Sequence, residues 1–386
     1  MELDLNCRHF PGDRPCRLHK ETGARCEGCA VFAPPGFRVL VIKLDALGDV
    51  LRTTSVLPAL RRDHPDAHVT WLTLPGAEPV LRNNPHIDEI LFYDAEGFAR
   101  LAVEEFDLVL APDASKKSAA LGSLARGRVK RGYRLGGDGQ VRPWNEDGEE
   151  WLVLGGRDDL KKANRKTYQD HLHRICGLDA RGQEIVLCLT GEERLEAERI
   201  FAAKGLVGGA PVIGFNTGSS SRWPKKRWPK ESYVDLARRI REGSRARVVL
   251  LGGPLEAERN RWIEGRTGGW AVDAGSNHPL RIYLALLGRS DAVVTGDTLG
   301  LHGALALGTP VVALFGPTSS HEVDLYGRGV RITPEMDCLC CYLTNCSKRP
   351  DCMDAVLPER VMDALLPFLE GTGHGMAHAL AGRAGR

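Results

Sequence analysis

The sequence predicts an α/β protein built from two Rossmann-like domains with open, mainly parallel sheets. Three observations carry this expectation. Short apolar runs that read as buried strands alternate with stretches of helical apolar spacing, the pattern of βαβ units. The same alternation starts afresh at Val212–Phe215, after a charged amphipathic stretch. The segment 293–318, VVTGDTLGLHGALALGTPVVALFGPT, is a whole strand–loop–helix–strand unit in itself.

Residues 1–36 stand apart. CRHFPGDRPCRLHKETGARCEGC holds Cys7, Cys16, Cys26 and Cys29 among Pro, Gly and charged residues, with almost no apolar periodicity. Such a segment buries too little surface to order itself unaided. A metal held by the four thiolates would supply the missing free energy, zinc ahead of an iron–sulfur cluster. An arm with unmetallated thiols is the plainer reading. Phe37–Ile42 (FRVLVI) then opens the folded core as a strand buried on both faces. Its carboxyl end leads into KLDALGDVLRTTSVLPAL, where Val50, Leu51, Val56, Leu57 and Leu60 form a helical stripe. Further strands are expected at 68–74, 89–93 and 106–111. Ligands of such sheets bind at the strands' carboxyl ends, which puts Lys43, Asp45, Asp49 and Arg52 in the binding zone. Position alone also suits Asp49 as an N-cap for its own helix.

Residues 112–190 read less clearly. Lys116, Lys117, Arg126, Arg128, Lys130 and Arg131 make one basic stretch, and Lys161, Lys162, Arg165 and Lys166 another. Charge runs are usually solvated faces; an anionic acceptor is the alternative use. His171 and His173 fall in a helical stretch and read as structural. A linker near Thr190 precedes a helix at 192–203, and the second set of units follows. After the strand at 212–215, NTGSSS supplies small hydroxyl residues for a polar ligand loop, Thr217 and Ser219 among them. Lys226, Arg227, Trp228 and Pro229 then enter a helix with Tyr233, Leu236, Ala237 and Ile240 on one face. The strand at 248–251 ends in GGPLEAER, whose Glu256 suits either a ribose contact or a helix first turn. A short helix at 279–287 leads to the 293–318 unit. There Thr295–Thr298 turn tightly, and the helix from Gly300 ends at Gly308 and Pro310. Its N-terminus, with unpaired N–H groups, is a natural anion site.

The 386 residues suffice for two domains with real cores. A net charge of +2 gives no electrostatic case for nucleic acid. No apolar run approaches the ~18–20 residues that span a bilayer, and no secretion-type h-region is present. The expected location is therefore cytoplasmic. With eleven cysteines, metal ligands or reduced thiols are expected rather than disulfides. A second group, Cys338, Cys340, Cys341, Cys346 and Cys352, reads either as packing or as a further metal site. Val361, Leu365 and Phe368 mark a last helix, and residues 371–386 read as a disordered tail.

Several of these stretches carry a family resemblance. GDTLGLH followed by ALALGTPVVALFGPT resembles the diphosphate-binding signature of the family 9 glycosyltransferases, the ADP-heptose:lipopolysaccharide heptosyltransferases. Asp297, Thr298 and His302 match it, while Leu299 and Gly300 depart from the commoner Gly and bulkier residue. IKLDALGDVLRTTSVLPAL resembles the family's first-strand motif, in which the Asp matching Asp49 is the catalytic base. NNPHIDEILFYD, the Lys-x-Trp-Pro of residues 226–229 and GGPLEAER are similar to further family motifs. The match spans roughly residues 37–370 in the correct order.

The resemblance implies the glycosyltransferase-B architecture, two domains facing a central cleft: 37–189 on the acceptor side and 190–370 on the nucleotide-sugar side. It implies inverting, metal-independent transfer of a heptose or related sugar, with ADP-heptose as donor and a lipopolysaccharide core or similar saccharide as acceptor. Asp49 and Lys226 would be catalytic. Thr217, Ser219, Glu256, Asp297, Thr298, Gly300 and His302 would bind the donor, and Lys43 and Arg52 would lie on the acceptor side. A lipid-linked acceptor implies peripheral contact with the inner membrane. The rival readings are a nucleotide-sugar epimerase of the same architecture and a non-catalytic metal or redox sensor.

Overall fold

The chain forms two six-stranded sheets, and each has its chain-order reversal beside the residues singled out above. The structure is a computed structural model that describes residues 3–34, 36–179 and 184–369. In the first sheet, β1 (Arg38–Ile42), β2 (His68–Thr73), β3 (Glu89–Phe92), β4 (Glu105–Ala111), β5 (Arg126–Leu135) and β6 (Val141–Pro143) lie in the order β3-β2-β1-β4-β5-β6. Only β6 runs antiparallel to its neighbour in that sheet. In the second, β7 (Val212–Asn216), β8 (Arg247–Leu251), β9 (Ala271–Asp273), β10 (Ala292–Gly296), β11 (Val311–Leu314) and β12 (Gly329–Ile332) lie in the order β12-β11-β10-β7-β8-β9, all parallel. The central strands are buried on both faces, which is why they read as unbroken apolar runs. The order reverses between β1 and β4 and between β10 and β7, the positions where open α/β sheets bind ligands at the strands' carboxyl ends.

The strands expected from the sequence are present, and the structure adds some that charge concealed. Arg126, Arg128, Lys130 and Arg131, read above as a solvated basic face, are part of β5. Two of its cations meet carboxylates of β4 while staying exposed: Arg126 pairs with Glu105, and Arg128 lies 3.4 Å from Asp107. Tyr133 on the same strand is buried and donates to the Gly148 carbonyl.

The helix Tyr168–Cys176 carries a full capping box at Thr167 and Asp170. His173 in it bridges two carbonyls, those of Gln169 at 2.8 Å and Ser55 at 3.1 Å, a structural role as expected. The C-terminal helix Pro358–Leu369 packs chiefly on the helix Lys230–Gly243 and on β11 and β12. These contacts keep it on the second sheet. The stretch 371–386 lies outside the described residues.

The two halves meet directly. The helices Leu47–Thr53 and Leu299–Ala306 pack against each other. Val50 and Leu51 from one and Leu301 and Ala304 from the other share a continuous core. Arg281, 4% exposed, fastens the contact farther out. It pairs with Glu193 at 2.5 Å and donates to the carbonyls of Pro79 at 2.6 Å and Cys188 at 2.5 Å.

Candidate active site

The site is built from two loops that face each other where the halves touch. On the first sheet, Lys43 follows β1 and is buried; its Nζ lies 3.1 Å from Asp113, which follows β4. The ion pair therefore spans the order reversal. The next turn opens the helix Leu47–Thr53, whose N-cap is Ala46 with no side-chain cap. Asp49 thus sits in the first turn rather than at the cap, and its carboxylate is turned toward Arg52 Nη2 at 2.8 Å. The guanidinium of Arg52 stacks 3.6 Å from the ring centre of Tyr168. Tyr168 is held in turn by a 3.0 Å hydrogen bond to Thr53. Asp49 keeps 38% of its side chain exposed, so a substrate hydroxyl has access to it.

On the second sheet, β10 ends in Gly296 and Asp297. Lys226 donates to the Asp297 carboxylate at 2.6 Å and to its carbonyl at 3.2 Å. Thr318 donates to the same carboxylate at 2.8 Å. His302, one turn into the helix Leu299–Ala306, has Nε2 3.9 Å from the other Asp297 oxygen. Thr298 caps that helix, accepting from Gly300 N–H at 3.2 Å. Asn216, at the end of β7, donates to Thr295 at 2.8 Å and Thr298 at 2.9 Å, and accepts from Tyr283 at 3.0 Å. That network spans the second order reversal. It also explains Gly300: a Cβ there would lie 2.3 Å from Asn216 Nδ2 and 2.6 Å from the Tyr283 hydroxyl. Gly300→Ala is expected to cost ~1–3 kcal/mol of folding free energy by overpacking. Gly155→Ala, with nothing near its added Cβ, is the control, expected neutral to slightly stabilising. Denaturant unfolding of both variants checks this.

The loops close on one another at Gly48. A Cβ at that position would stand 3.2 Å from His302 Cδ2 and 3.6 Å from Leu299 Cα. The turn that carries Asp49 therefore lies against the first turn of the helix that carries His302. Burial alone would raise the Asp49 pKa, but Arg52 and Lys43, with His302, hold it below the usual carboxylate value. Asp297 is likewise held low against burial by Lys226 and His302. Burial and the neighbouring Arg52 push His302 down to about 4, so it is neutral at ordinary pH. Its Nδ1 is buried with no partner. Glu322 is pushed up by burial, although Arg52 opposes this.

Not every expected residue faces the crevice with its polar atom. Thr217 spends its hydroxyl on Asn260 at 2.6 Å, and Ser219 on the Trp223 carbonyl at 2.8 Å. Glu256 is buried and accepts from Gly253 N–H at 3.0 Å. It packs beneath the loop: a Cβ on Gly218 would come within 2.2 Å of its carboxyl carbon. Residues not singled out from the sequence are Asp113, Tyr168, Asn216, Tyr283, Thr318 and Glu322. Asn216 stood at the head of the quoted NTGSSS stretch and Thr318 closed the 293–318 unit; the Thr-x-x-Asp of 167–170 was a readable helix start beside Tyr168.

Among the described residues no group of three or more His, Cys, Asp or Glu side chains is arranged to hold a metal ion. That includes the N-terminal Cys7, Cys16, Cys26 and Cys29, all free. The segment around them has one short helix, Arg17–Thr22, with no buried residue, and is tied to the first sheet by Arg8, 3.2 Å from Asp88. No helix among the described residues is long and apolar enough to cross a membrane.

Comparison with known proteins identifies the family and the fold. The family model of glycosyltransferase family 9 (heptosyltransferase) matches residues 98–349. Lipooligosaccharide heptosyltransferase 2 of Haemophilus influenzae is 25% identical over 307 residues, covering 73% of this chain and 84% of that protein. Lipopolysaccharide heptosyltransferase 1 of Pseudomonas aeruginosa is 26% identical over 340 residues, covering 81% and 88%. Among solved structures, the family 9 glycosyl transferase of Veillonella parvula superposes with a TM-score of 0.67 at 21% identity, covering 87% of this chain and 98% of that one. ADP-heptose LPS heptosyltransferase II of E. coli gives 0.62 at 21% identity, covering 86% and 99%. These structures share the two-sheet fold.

Proposed function

The chain belongs to glycosyltransferase family 9, the heptosyltransferase family, and from that premise we propose that it transfers a heptose, with inversion and without a metal ion, from ADP-heptose to a hydroxyl of a lipopolysaccharide core saccharide. The observation that carries this reading is the meeting of Asp49 with the Lys226–Asp297–His302 group at Gly48. Asp49 takes the proton of the acceptor hydroxyl while that oxygen attacks the anomeric carbon. The bond from the anomeric carbon to the diphosphate oxygen breaks, and its electrons leave on the nucleoside diphosphate. Lys226, aimed by Asp297, and the first turn of the helix Leu299–Ala306 stabilise that charge. A fixed cation and a helix terminus do here what a metal ion does elsewhere. Attack from the face opposite the leaving group inverts the configuration.

Arg52 and Tyr168 position Asp49, and Lys43 lies behind it on the acceptor side. Glu256, Thr217 and Ser219 shape the nucleoside end of the pocket. The last two do so through backbone and packing, since their hydroxyls are engaged. The N-terminal Cys7, Cys16, Cys26 and Cys29 are proposed as ligands of a structural zinc, on the strength of a segment with little apolar burial of its own. A lipid-linked acceptor would put the enzyme at the cytoplasmic face of the inner membrane.

Incubation with ADP-heptose and core saccharide extracts tests the reading. The expected products are ADP and a saccharide one heptose heavier, with the anomeric configuration inverted and the rate unchanged by EDTA. Free sugar released without an acceptor, or a donor isomer, would point to other chemistry. The pH profile gives a second test. Because Arg52 and Lys43 hold Asp49 below its ordinary value against burial, it stays ionised through the neutral range. The profile of kcat/KM is therefore expected to show no acid-side inflection above about pH 5. An inflection near 6–7 would assign the base to another group, and His302, neutral down to about 4, would not account for it.

A further inference from the structure

The base Asp49 stands on one half of the molecule and Lys226 on the other, so transfer needs the two halves in one register. The loop that joins β11 to β12 reaches across to supply it. Near its start Thr318 donates to the Asp297 carboxylate that aims Lys226. Farther on, the Glu322 carbonyl accepts the Tyr168 N–H at 2.9 Å. That N–H lies in the first turn of the helix Tyr168–Cys176, where the helix itself offers no acceptor. The Tyr326 hydroxyl then accepts from Gln169 Nε2 at 2.9 Å. Between these points Val323 and Leu325 are buried in the core that Tyr168 shares. Arg331 clamps the loop by donating to the carbonyls of Ser320 at 3.0 Å and Val323 at 2.6 Å. The first turn of a helix in the acceptor half is thus tied, at Tyr168 and at Gln169, to a loop that also holds the donor-side ion pair.

Tyr168 is the ring on which Arg52 stacks, and Arg52 holds Asp49. We propose that Tyr326 is a positioning residue for sugar transfer: through Gln169, and with the Glu322 carbonyl beside it, it sets the Tyr168–Arg52–Asp49 stack in register with the Lys226–Asp297 pair. This role rests on the sugar-transfer reading. Two features mark Tyr326 as a residue kept for its side chain. Its φ of 52° lies in the left-handed region, which disfavours an aromatic residue and suits glycine. Its partner Gln169 is 6% exposed, and the amide oxygen there is already buried without a partner. Without the Tyr326 hydroxyl the whole amide is unpaired, so water must reach it or the helix's first turn must shift. A shift there moves the ring beneath Arg52. Asp49 then meets the acceptor oxygen off line, a fault that slows the reaction and leaves donor binding alone.

Tyr326→Phe removes the hydroxyl and keeps the ring beside Arg328. With ADP-heptose and core saccharide, kcat is expected to fall ~3–10-fold. KM for the donor should stay within about twofold of wild type. Gln169→Met should lose a similar factor, and adding Tyr326→Phe to it should cost little more, because both remove one contact. Losses that multiply in the double variant, or a lower melting temperature with kcat unchanged, would overturn the positioning role. If one single variant does not fold, the other carries the test. Hydrogen exchange on the unliganded protein examines the link apart from the chemistry. The amides of 168–172 are expected to exchange ~3–10-fold faster in Tyr326→Phe than in wild type. Equal exchange overturns the proposal even where wild type transfers heptose. Faster exchange in a protein whose wild type transfers no heptose overturns the sugar-transfer reading instead, and leaves Tyr326 as a tie between the halves.

Discussion

Asp49→Asn is expected to lower the rate of sugar transfer by ~10²–10⁴-fold, or about 3–5 kcal/mol in the barrier, while donor affinity stays nearly unchanged. The amide has the shape of the carboxyl group and still accepts from Arg52, now 2.8 Å away. It has no basicity with which to take the acceptor proton. Arg52 keeps its stacking on Tyr168, so the loop is expected to hold its place, with a stability change of about 1 kcal/mol. Steady-state turnover and isothermal titration with donor, made on the same preparation, separate the two effects. Equal losses in donor binding and in rate would make Asp49 a binding residue and leave the base unassigned.

Lys226→Ala is expected to lower turnover by ~10²–10³-fold and to weaken donor binding as well. It should also destabilise the fold. Lys226 and Asp297 are 14% and 15% exposed, and removing one member of this largely buried pair strands the other charge, at up to ~3 kcal/mol since Thr318 still donates to Asp297. The two losses have different causes and come apart in the double variant Lys226→Met/Asp297→Asn. That protein has no buried carboxylate left without its cation, so its melting temperature should recover most of the loss. Its turnover should not recover, because nothing meets the charge on the departing diphosphate. Recovery of turnover with stability would mean that Lys226 serves only the fold.

The parts of this protein that were readable from sequence share one physical property. β1, β7, β10 and β11 are buried on both faces, so apolar residues fill their interiors and the polar ones, Arg38, Asn216 and Thr295, fall at or next to their ends. The turns and first helical turns at those ends carry Asp49, Asp297 and His302, which is why these three lie near one another. β5 was concealed for the opposite reason. Its sequence RGRVKRGYRL reads as a solvated face, and Arg126 and Arg128 are indeed exposed, beside Glu105 and Asp107; what the charges hid is that the stretch is also a strand, with Tyr133 buried. Asp113, Tyr168 and Glu322 were missed for another reason. Each acts across a distance in the chain: Asp113 on Lys43, Tyr168 on Arg52, and Glu322 on Tyr342. Local sequence also overstated some contacts. Thr217 and Ser219 have the right residue type for a ligand loop, but their hydroxyls point to Asn260 and Trp223.

The most direct test is a structure with a non-transferable fluorinated ADP-heptose bound. The account predicts the diphosphate against Lys226 and the first turn of the helix Leu299–Ala306. It predicts an Asp49 carboxylate oxygen within about 6 Å of the anomeric carbon, on the face opposite the diphosphate, leaving room for one acceptor oxygen between them. A diphosphate bound away from Lys226, or an anomeric carbon that Asp49 reaches only from the leaving-group side, would contradict it.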